Sequence, residues 1–171
     1  GTPLRGSKVA LLDNAGHEVA PGEKGRIFVG NAALFDGYTG GGSKEMIDRL
    51  MSTGDMGHFD DHGNLFVDGR DDDMIVSGGE NVFPQEVEDL IAAHSDVEEV
   101  AVVGVPDDEF GQRLAAFVVL RPGTSLTNDA VRDYVKASLA RHKVPREVHF
   151  LDALPRNATG KILRRQLQSQ A

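Results

Sequence analysis

The stretch Gly69-Arg70-Asp71-Asp72-Asp73-Met74-Ile75-Val76-Ser77-Gly78-Gly79-Glu80-Asn81 sets a cation, three acids and a glycine pair around one short apolar run. It marks a junction, because the sequence pattern differs on its two sides. Upstream, Lys8 to Leu12 and Gly25 to Val29 read as short strands. Asp13-Asn14-Ala15-Gly16 and Pro21-Gly22-Glu23 between them are turn-forming clusters. Phe35-Asp36-Gly37-Tyr38 leads into the run Gly40-Gly41-Gly42, which implies a tightly turned or mobile loop, and Lys44 to Leu50 is a candidate short helix. Met56 to Phe59 and Leu65 to Val67 flank Asp60-Asp61-His62-Gly63-Asn64, a hairpin signal because Gly and Asn accept positive φ. Asp55 falls just before that hairpin.

Downstream the periodicity changes. Pro84 suits a first helical turn, and Val87, Leu90, Ile91 and His94 recur at helical spacing, predicting a helix over 84–94. Val97 to Val105 predicts a strand ended by Pro106, and Leu114 to Leu120 a second. Thr127 can cap a helix whose apolar face carries Val131, Tyr134, Val135 and Leu139. Glu147 to Leu151 gives a third strand, Leu154 to Gly160 a loop, and Lys161 starts a terminal helix reaching Gln168. The expected fold class is α+β: a β-rich subdomain over residues 1–70, then a small domain over 71–171 in which helices cover a sheet of about three strands.

The 171-residue chain has no cysteine, which excludes disulfide and thiolate chemistry and is compatible with a cytoplasmic location. No apolar run approaches the roughly 20 residues that span a bilayer, so no transmembrane segment is expected, although peripheral membrane contact stays open. A net charge of -9 argues against nucleic acid as a partner, since phosphate binding depends on a positive surface. The charge is uneven. Residues 136–171 hold eight Lys or Arg against Glu147 and Asp152, so a tail of +6 follows a body of -15. That tail is either a solvated basic helix or a cationic edge facing a phosphorylated ligand.

Several residues could carry chemistry. Asp55, after Thr53-Gly54, is suited to accept hydrogen bonds from a ribose diol, or else caps a turn. Arg70 could supply a forked cation to the same ribose or to a phosphate, or pair with one of Asp71 to Asp73. Those three acids lack a His partner and read as a solvated acidic turn, with no metal site. Gly78-Gly79 permits close approach to the backbone or forms a tight turn. Lys161, after Thr159-Gly160, is a long point charge able to reach a phosphate oxygen or a reacting carboxylate. The six histidines show no metal-ligand spacing.

Taken together, Ser52-Thr53-Gly54-Asp55, the Gly69 to Asn81 stretch with Pro84-Gln85-Glu86-Val87-Glu88, and Pro155-Arg156-Asn157-Ala158-Thr159-Gly160-Lys161-Ile162-Leu163-Arg164 resemble the adenylate-forming acyl-CoA synthetases. Gly25-Arg26-Ile27-Phe28-Val29-Gly30 and Gly37-Tyr38 add to the match, which runs over nearly the whole chain. The Ser-Gly-Gly-Glu-Asn form of the junction, with Pro84 after it, is more like fatty-acyl-CoA ligases than acetyl-CoA synthetases. Leu50-Met51-Ser52 departs from the aromatic pair usual before Thr-Gly-Asp.

The resemblance implies a ligase that makes an acyl-adenylate from a carboxylic acid, such as a fatty acid, and ATP, releasing pyrophosphate, and then passes the acyl group to coenzyme A. In that scheme Asp55 holds the ribose hydroxyls, Arg70 is a neighbouring nucleotide contact, and Lys161 bridges the acid and the α-phosphate. Asp72 is the hinge of a mobile lid over 71–171, and Ser77, Gly78, Gly79 and Glu80 line the pantetheine passage. The family's phosphate loop, acyl pocket and Mg²⁺ ligands have no counterpart here and are expected before residue 1. The chain, which opens on Gly1-Thr2-Pro3, is therefore read as a C-terminal fragment, inactive without its N-terminal domain. The alternatives are an adenylation domain of a peptide synthetase or another adenylate-forming enzyme, and a non-catalytic binding module with the lid fold.

Overall fold

The structure is a computed structural model that describes residues 1–30 and 44–171, so the motifs between Phe35 and Gly42 lie outside the described residues. The fold is α+β. The described chain divides into two compact units, Gly1–Asp72 and Asp73–Ala171.

The first unit is an antiparallel sheet of β1 (Lys8–Leu12), β2 (Gly25–Gly30), β3 (Met46–Ile47), β4 (Leu50–Phe59) and β5 (Leu65–Arg70). The long β4 pairs with β2, β3 and β5. Ala10, Leu12, Phe28 and Leu50 form its core, with Ile47 packed beside them. The helix expected over Lys44 to Leu50 is not formed. Asp48 and Arg49 both take positive φ, 48° and 65°, making a two-residue turn that pairs Ile47 with Leu50. Gly57 lets β5 approach β4: a Cβ there would lie 2.3 Å from the Phe66 carbonyl oxygen and 2.9 Å from Ile27. The β4–β5 register slips at this point, between Met56 and Gly57, and so sets which residues face each other beyond it.

The second unit contains β6 (Ile75–Ser77), β7 (Glu80–Val82), α1 (Pro84–Ala92), β8 (Val97–Asp107), β9 (Gly111–Leu120), α2 (Asn128–Ser138), β10 (Glu147–Phe150) and α3 (Arg164–Gln168). β9 is the hub of a five-stranded sheet, antiparallel to β8 and β6 and parallel to β10. Alternation along β8 and β9 explains their unbroken apolar runs. Val102, Leu114, Ala116 and Val118 face a cluster completed by Val87 and Ile91 of α1 and Val131 and Val135 of α2. Ala101, Val103, Val105, Ala115, Phe117 and Val119 face the opposite side, under Leu154 and Leu167. A sheet buried on both faces needs apolar residues at successive positions. Thr127 caps α2 as expected, its hydroxyl accepting from the Ala130 amide at 3.2 Å.

Pro106 does not end β8; it pairs with Gln112 inside the strand. The reason is the unpaired outer edge of β8, where proline's missing N–H leaves no donor unsatisfied. Side chains close the rest of that edge. The Val102 amide donates to Glu88 at 2.6 Å, the Val102 carbonyl accepts from Arg164 at 2.7 Å, and the Gly104 carbonyl accepts from Gln168 at 3.0 Å. The Pro106 carbonyl accepts from Arg113 at 2.7 Å. Helices α1 and α3 thus act as a substitute strand built of side chains. The terminal helix begins at Arg164 rather than Lys161, because Ile162 is still extended, bridged to Arg156. Among the described residues no helix is long and apolar enough to cross a membrane.

Candidate functional site

Asp55 sits within β4 and faces Arg70 of β5 across the ladder, so the two are held by strand register rather than by a loop. Arg70 donates from Nη1 to Asp55 at 3.2 Å and from Nε to Asp72 at 3.1 Å. The bond to Asp72, with the Asp55 charge behind it, raises the guanidinium above its ordinary pKa. Gly54, at φ +81°, lies under this guanidinium, where a Cβ would come within 3.0 Å of an Arg70 nitrogen. The Thr53 hydroxyl accepts from the Asp55 amide at 3.1 Å and donates to the Ile27 carbonyl. The sequence Ser-Thr-Gly-Asp therefore gives a carboxylate on a braced backbone with a forked cation beside it. Such a pair can present two acceptor oxygens to a diol while the cation meets an anion.

The three acids of the junction form a 3₁₀ turn over Asp71–Asp73 and go to three different arginines. Asp71 accepts from Arg26 at 3.0 Å, Asp72 from Arg70, and Asp73 lies 3.8 Å from Arg164. These carboxylates do not converge, and they do not fit the Mg²⁺ that the family resemblance implies. Among the described residues no cluster of three or more His, Asp or Glu could hold a metal ion.

Ser77 and Glu80 face each other across a hairpin whose two-residue turn is Gly78-Gly79, at φ 62° and 84°. The tight turn and the close approach weighed for these glycines coexist: the Phe110 ring comes so near that a Cβ on Gly78 would lie 3.1 Å from it. Ser77, Gly78 and Glu80 help to line a cavity of about 990 Å³. Its remaining wall is strongly cationic, with Arg113, Arg132, Lys136, Arg141 and Arg146. The Arg146 guanidinium stacks over the Phe110 ring at 4.3 Å. Asp107 anchors the turn that carries Phe110. Its carboxylate accepts from the Phe110 amide at 2.9 Å, the main cause of a pKa below the ordinary value, with Arg146 and Arg113 adding to it. Glu147 is likewise lowered, first by its hydrogen bond from Arg113. Lys136 and Arg141 have no carboxylate partner among the described residues.

The sequence indicated this cavity only as a +6 tail. Lys136, Arg141 and Arg146 come from that tail, but Arg113 and Arg132 precede it and carry no local signal. The contribution of Phe110 was equally invisible, since it depends on a turn between β8 and β9.

Lys161 stands on the tip of a closed loop rather than a flexible one. Arg156 bridges to Ile162, and the Asn157 amide donates to the Lys161 carbonyl at 2.9 Å. The Asn157 side-chain oxygen accepts from the Thr159 amide at 3.0 Å, the Thr159 hydroxyl at 2.8 Å and the Lys161 amide at 2.9 Å. Arg156 donates to the Gly160 carbonyl at 2.7 Å and also pairs with Glu99 of β8. The Lys161 side chain itself is exposed and has no partner among the described residues. The structure thus brings together Asp55, Arg70 and Asp72 in the first unit, and Ser77, Gly78, Gly79 and Glu80 in the second. Lys161 occupies a separate loop of the second unit.

The family described as the AMP-binding enzyme C-terminal domain matches residues 86–161. The chain is 41% identical over 155 residues to an indoleacetate–CoA ligase of Aromatoleum aromaticum, covering 89% of this chain and 30% of that protein. It is 39% identical over 174 residues to a long-chain-fatty-acid–CoA ligase of Salmonella typhimurium, covering all of this chain and 31% of the relative. Among solved structures, o-succinylbenzoate CoA synthetase of Bacillus subtilis in complex with its acyl-adenylate intermediate superposes with a TM-score of 0.90 at 35% identity. That match covers 98% of this chain and 35% of the other. The chain spans about a third of the length of the curated relatives it matches. With its motifs in family order and its fold shared along almost its entire length, the chain belongs to the adenylate-forming acyl-CoA synthetase family, and residues 86–161 are its AMP-binding enzyme C-terminal domain.

Proposed function

We propose that these residues are the C-terminal portion of an ATP-dependent acid–thiol ligase, which converts a carboxylic acid, ATP and coenzyme A into acyl-CoA, AMP and pyrophosphate. The observation that carries the reading is an exposed Lys161 ammonium, without a partner among the described residues, on a loop whose backbone is pinned from both sides. Attack of a carboxylate oxygen on the α-phosphorus, which displaces pyrophosphate, is opposed by the negative charge of the surrounding phosphate oxygens, and a positioned cation lowers that barrier. Asp55 and Arg70 take the ribose and neighbouring nucleotide contacts, for which a carboxylate beside a forked cation is suited. The hairpin at Gly78-Gly79 serves the pantetheine arm, and the cationic cavity beside it serves the phosphorylated end of coenzyme A.

In this reading Asp72 is the pivot between adenylation and thioester formation, and residues 71–171 act as a lid. The phosphate loop, the acid pocket and the Mg²⁺ ligands come from an N-terminal domain outside these residues, so the 171-residue chain does not adenylate by itself. A fatty acid is the proposed acid, on the Ser77 to Asn81 junction. The relatives' names include an arylacetate and a long-chain fatty acid, so the support common to all is for a carboxylic acid.

The test separates the half-reactions in the whole protein. Lys161→Ala should slow acid-dependent ATP–pyrophosphate exchange by about 10² to 10³, the usual loss on removing one charge-stabilising donor. Transfer of the acyl group from supplied acyl-adenylate to coenzyme A should be largely retained. Equal damage to both, or none, would return the chain to a non-catalytic binding module.

A further inference from the structure

Asn157 contributes no charge and the family resemblance assigned it no role, yet it is the most densely bonded residue of the Lys161 loop. Its single side-chain oxygen accepts three hydrogen bonds, from the Thr159 amide, the Thr159 hydroxyl and the Lys161 amide. Its own amide donates to the Lys161 carbonyl, and its carbonyl accepts from the Gly160 amide at 3.0 Å. Lys161 is therefore held by both its N–H and its C=O to one residue four positions earlier. Gly160, immediately before Lys161, is at φ +83°, a conformation that side-chain-bearing residues rarely adopt. Without a strong local acceptor the loop would have many alternatives, and ordering it would cost conformational entropy at every residue. Both Asn157 and Lys161 are exposed, so hydrophobic burial does not supply that ordering.

We infer that Asn157 is the positioning residue for Lys161: its carboxamide oxygen fixes the loop backbone so that the ammonium projects in one direction before substrate arrives. The inference rests on the adenylating role proposed for Lys161. The long side chain of lysine carries much rotamer entropy, so a fixed backbone limits where the ammonium can go. Arg156 is a second brace, tying the Gly160 carbonyl to Glu99 of β8, but it does not touch Lys161. Among the described residues, Asn157 is the one that hydrogen-bonds the backbone of Lys161.

The test uses Asn157→Ala, which removes the acceptor, and Asn157→Asp, which keeps an acceptor oxygen in the same place. In the 171-residue chain, amide hydrogen exchange at Thr159 and Lys161 should quicken by about tenfold in the alanine variant, as expected for loss of a hydrogen bond worth about 1 kcal/mol or more, and stay near wild type in the aspartate variant. In the whole protein, ATP–pyrophosphate exchange is measured with indole-3-acetate and palmitate. Asn157→Ala should slow it by about 10- to 100-fold, the scale on which a misplaced catalytic group acts. Asn157→Asp should restore most of it, and transfer from supplied acyl-adenylate to coenzyme A should not change in either variant. Lys161→Ala is run alongside. If Lys161→Ala slows exchange and Asn157→Ala does not, or if Asn157→Ala slows both half-reactions alike, the positioning role is overturned and the adenylating role of Lys161 stands. If Lys161→Ala leaves exchange unchanged, both fall together.

Discussion

Arg70 and Arg164 each bond to carboxylates on separate parts of the chain, but they sit in opposite surroundings. Arg70 has half of its side chain in solvent, and its partners Asp55 and Asp72 are 32% and 73% exposed. Arg164 is 27% exposed, and its partner Glu88 is only 9% exposed at the side chain. Arg164 also reaches Glu88 through two bonds, at 2.7 and 3.1 Å, and closes the edge of β8 at the Val102 carbonyl. Burial pulls the Arg164 guanidinium pKa down, but the hydrogen bonds and charge of Glu88, with the Asp73 charge behind them, outweigh it and leave that pKa raised. The difference separates two uses of one residue type. A solvent-screened pair is held loosely and can exchange its partner for a ligand, whereas a buried pair cannot be opened without leaving a charge stranded.

The comparison breaks most readily at Arg164. Arg164→Met should destabilise the second unit by about 3 kcal/mol, because it strands the Glu88 carboxylate and leaves the Val102 carbonyl without a donor. The midpoint of urea unfolding, followed by circular dichroism, reads this directly. Combining it with Glu88→Leu should recover part of the loss, since no unpaired charge then remains. A single variant as stable as the parent would place Arg164 in the same class as Arg70.

Gly54 tests how tightly Arg70 is seated. Gly54→Ala puts a side chain at positive φ and within 3.0 Å of the guanidinium, so a loss of about 1–2 kcal/mol is expected for the first unit. The same thermal or urea scan reports it. A neutral result would mean that Arg70 moves aside freely.

Arg70→Ala should have the smallest effect on folding, under about 1 kcal/mol and shrinking further as salt is raised, because both pairs are exposed and screened. Unfolding midpoints at low and high ionic strength measure it. A salt-independent loss as large as that at Arg164 would erase the distinction between the two arginines.

The elements that were legible were those set by local chemistry. The β1 and β2 strands, the β4–β5 hairpin, Pro84 opening α1 and Thr127 capping α2 all follow from residues within a few positions of one another. The readings that failed share a cause. Lys44 to Leu50 has a helix-compatible composition, but the Asp48-Arg49 turn is stabilised by pairing with β4. Pro106 is a strand breaker except at an open edge, and nothing in residues 97–106 says which edge is open. Asp55 was placed before its hairpin because the Thr-Gly-Asp turn chemistry is visible, whereas its pairing with Arg70 depends on the register slip at Gly57.

By itself the sequence determined the α+β class, the order of the three motifs and the lysine at the loop tip after Thr159-Gly160. Each is written in short-range periodicity, turn residues or motif spacing. Only the tertiary structure decided that the three junction acids go to three arginines, and that Arg113 and Arg132 join the basic tail around one cavity. It also decided that Glu88 meets Arg164 across 76 residues of chain. The physical reason is that a charged side chain gains or loses by its neighbours in space, and those neighbours are chosen by sheet register and helix packing, which no single stretch of residues specifies.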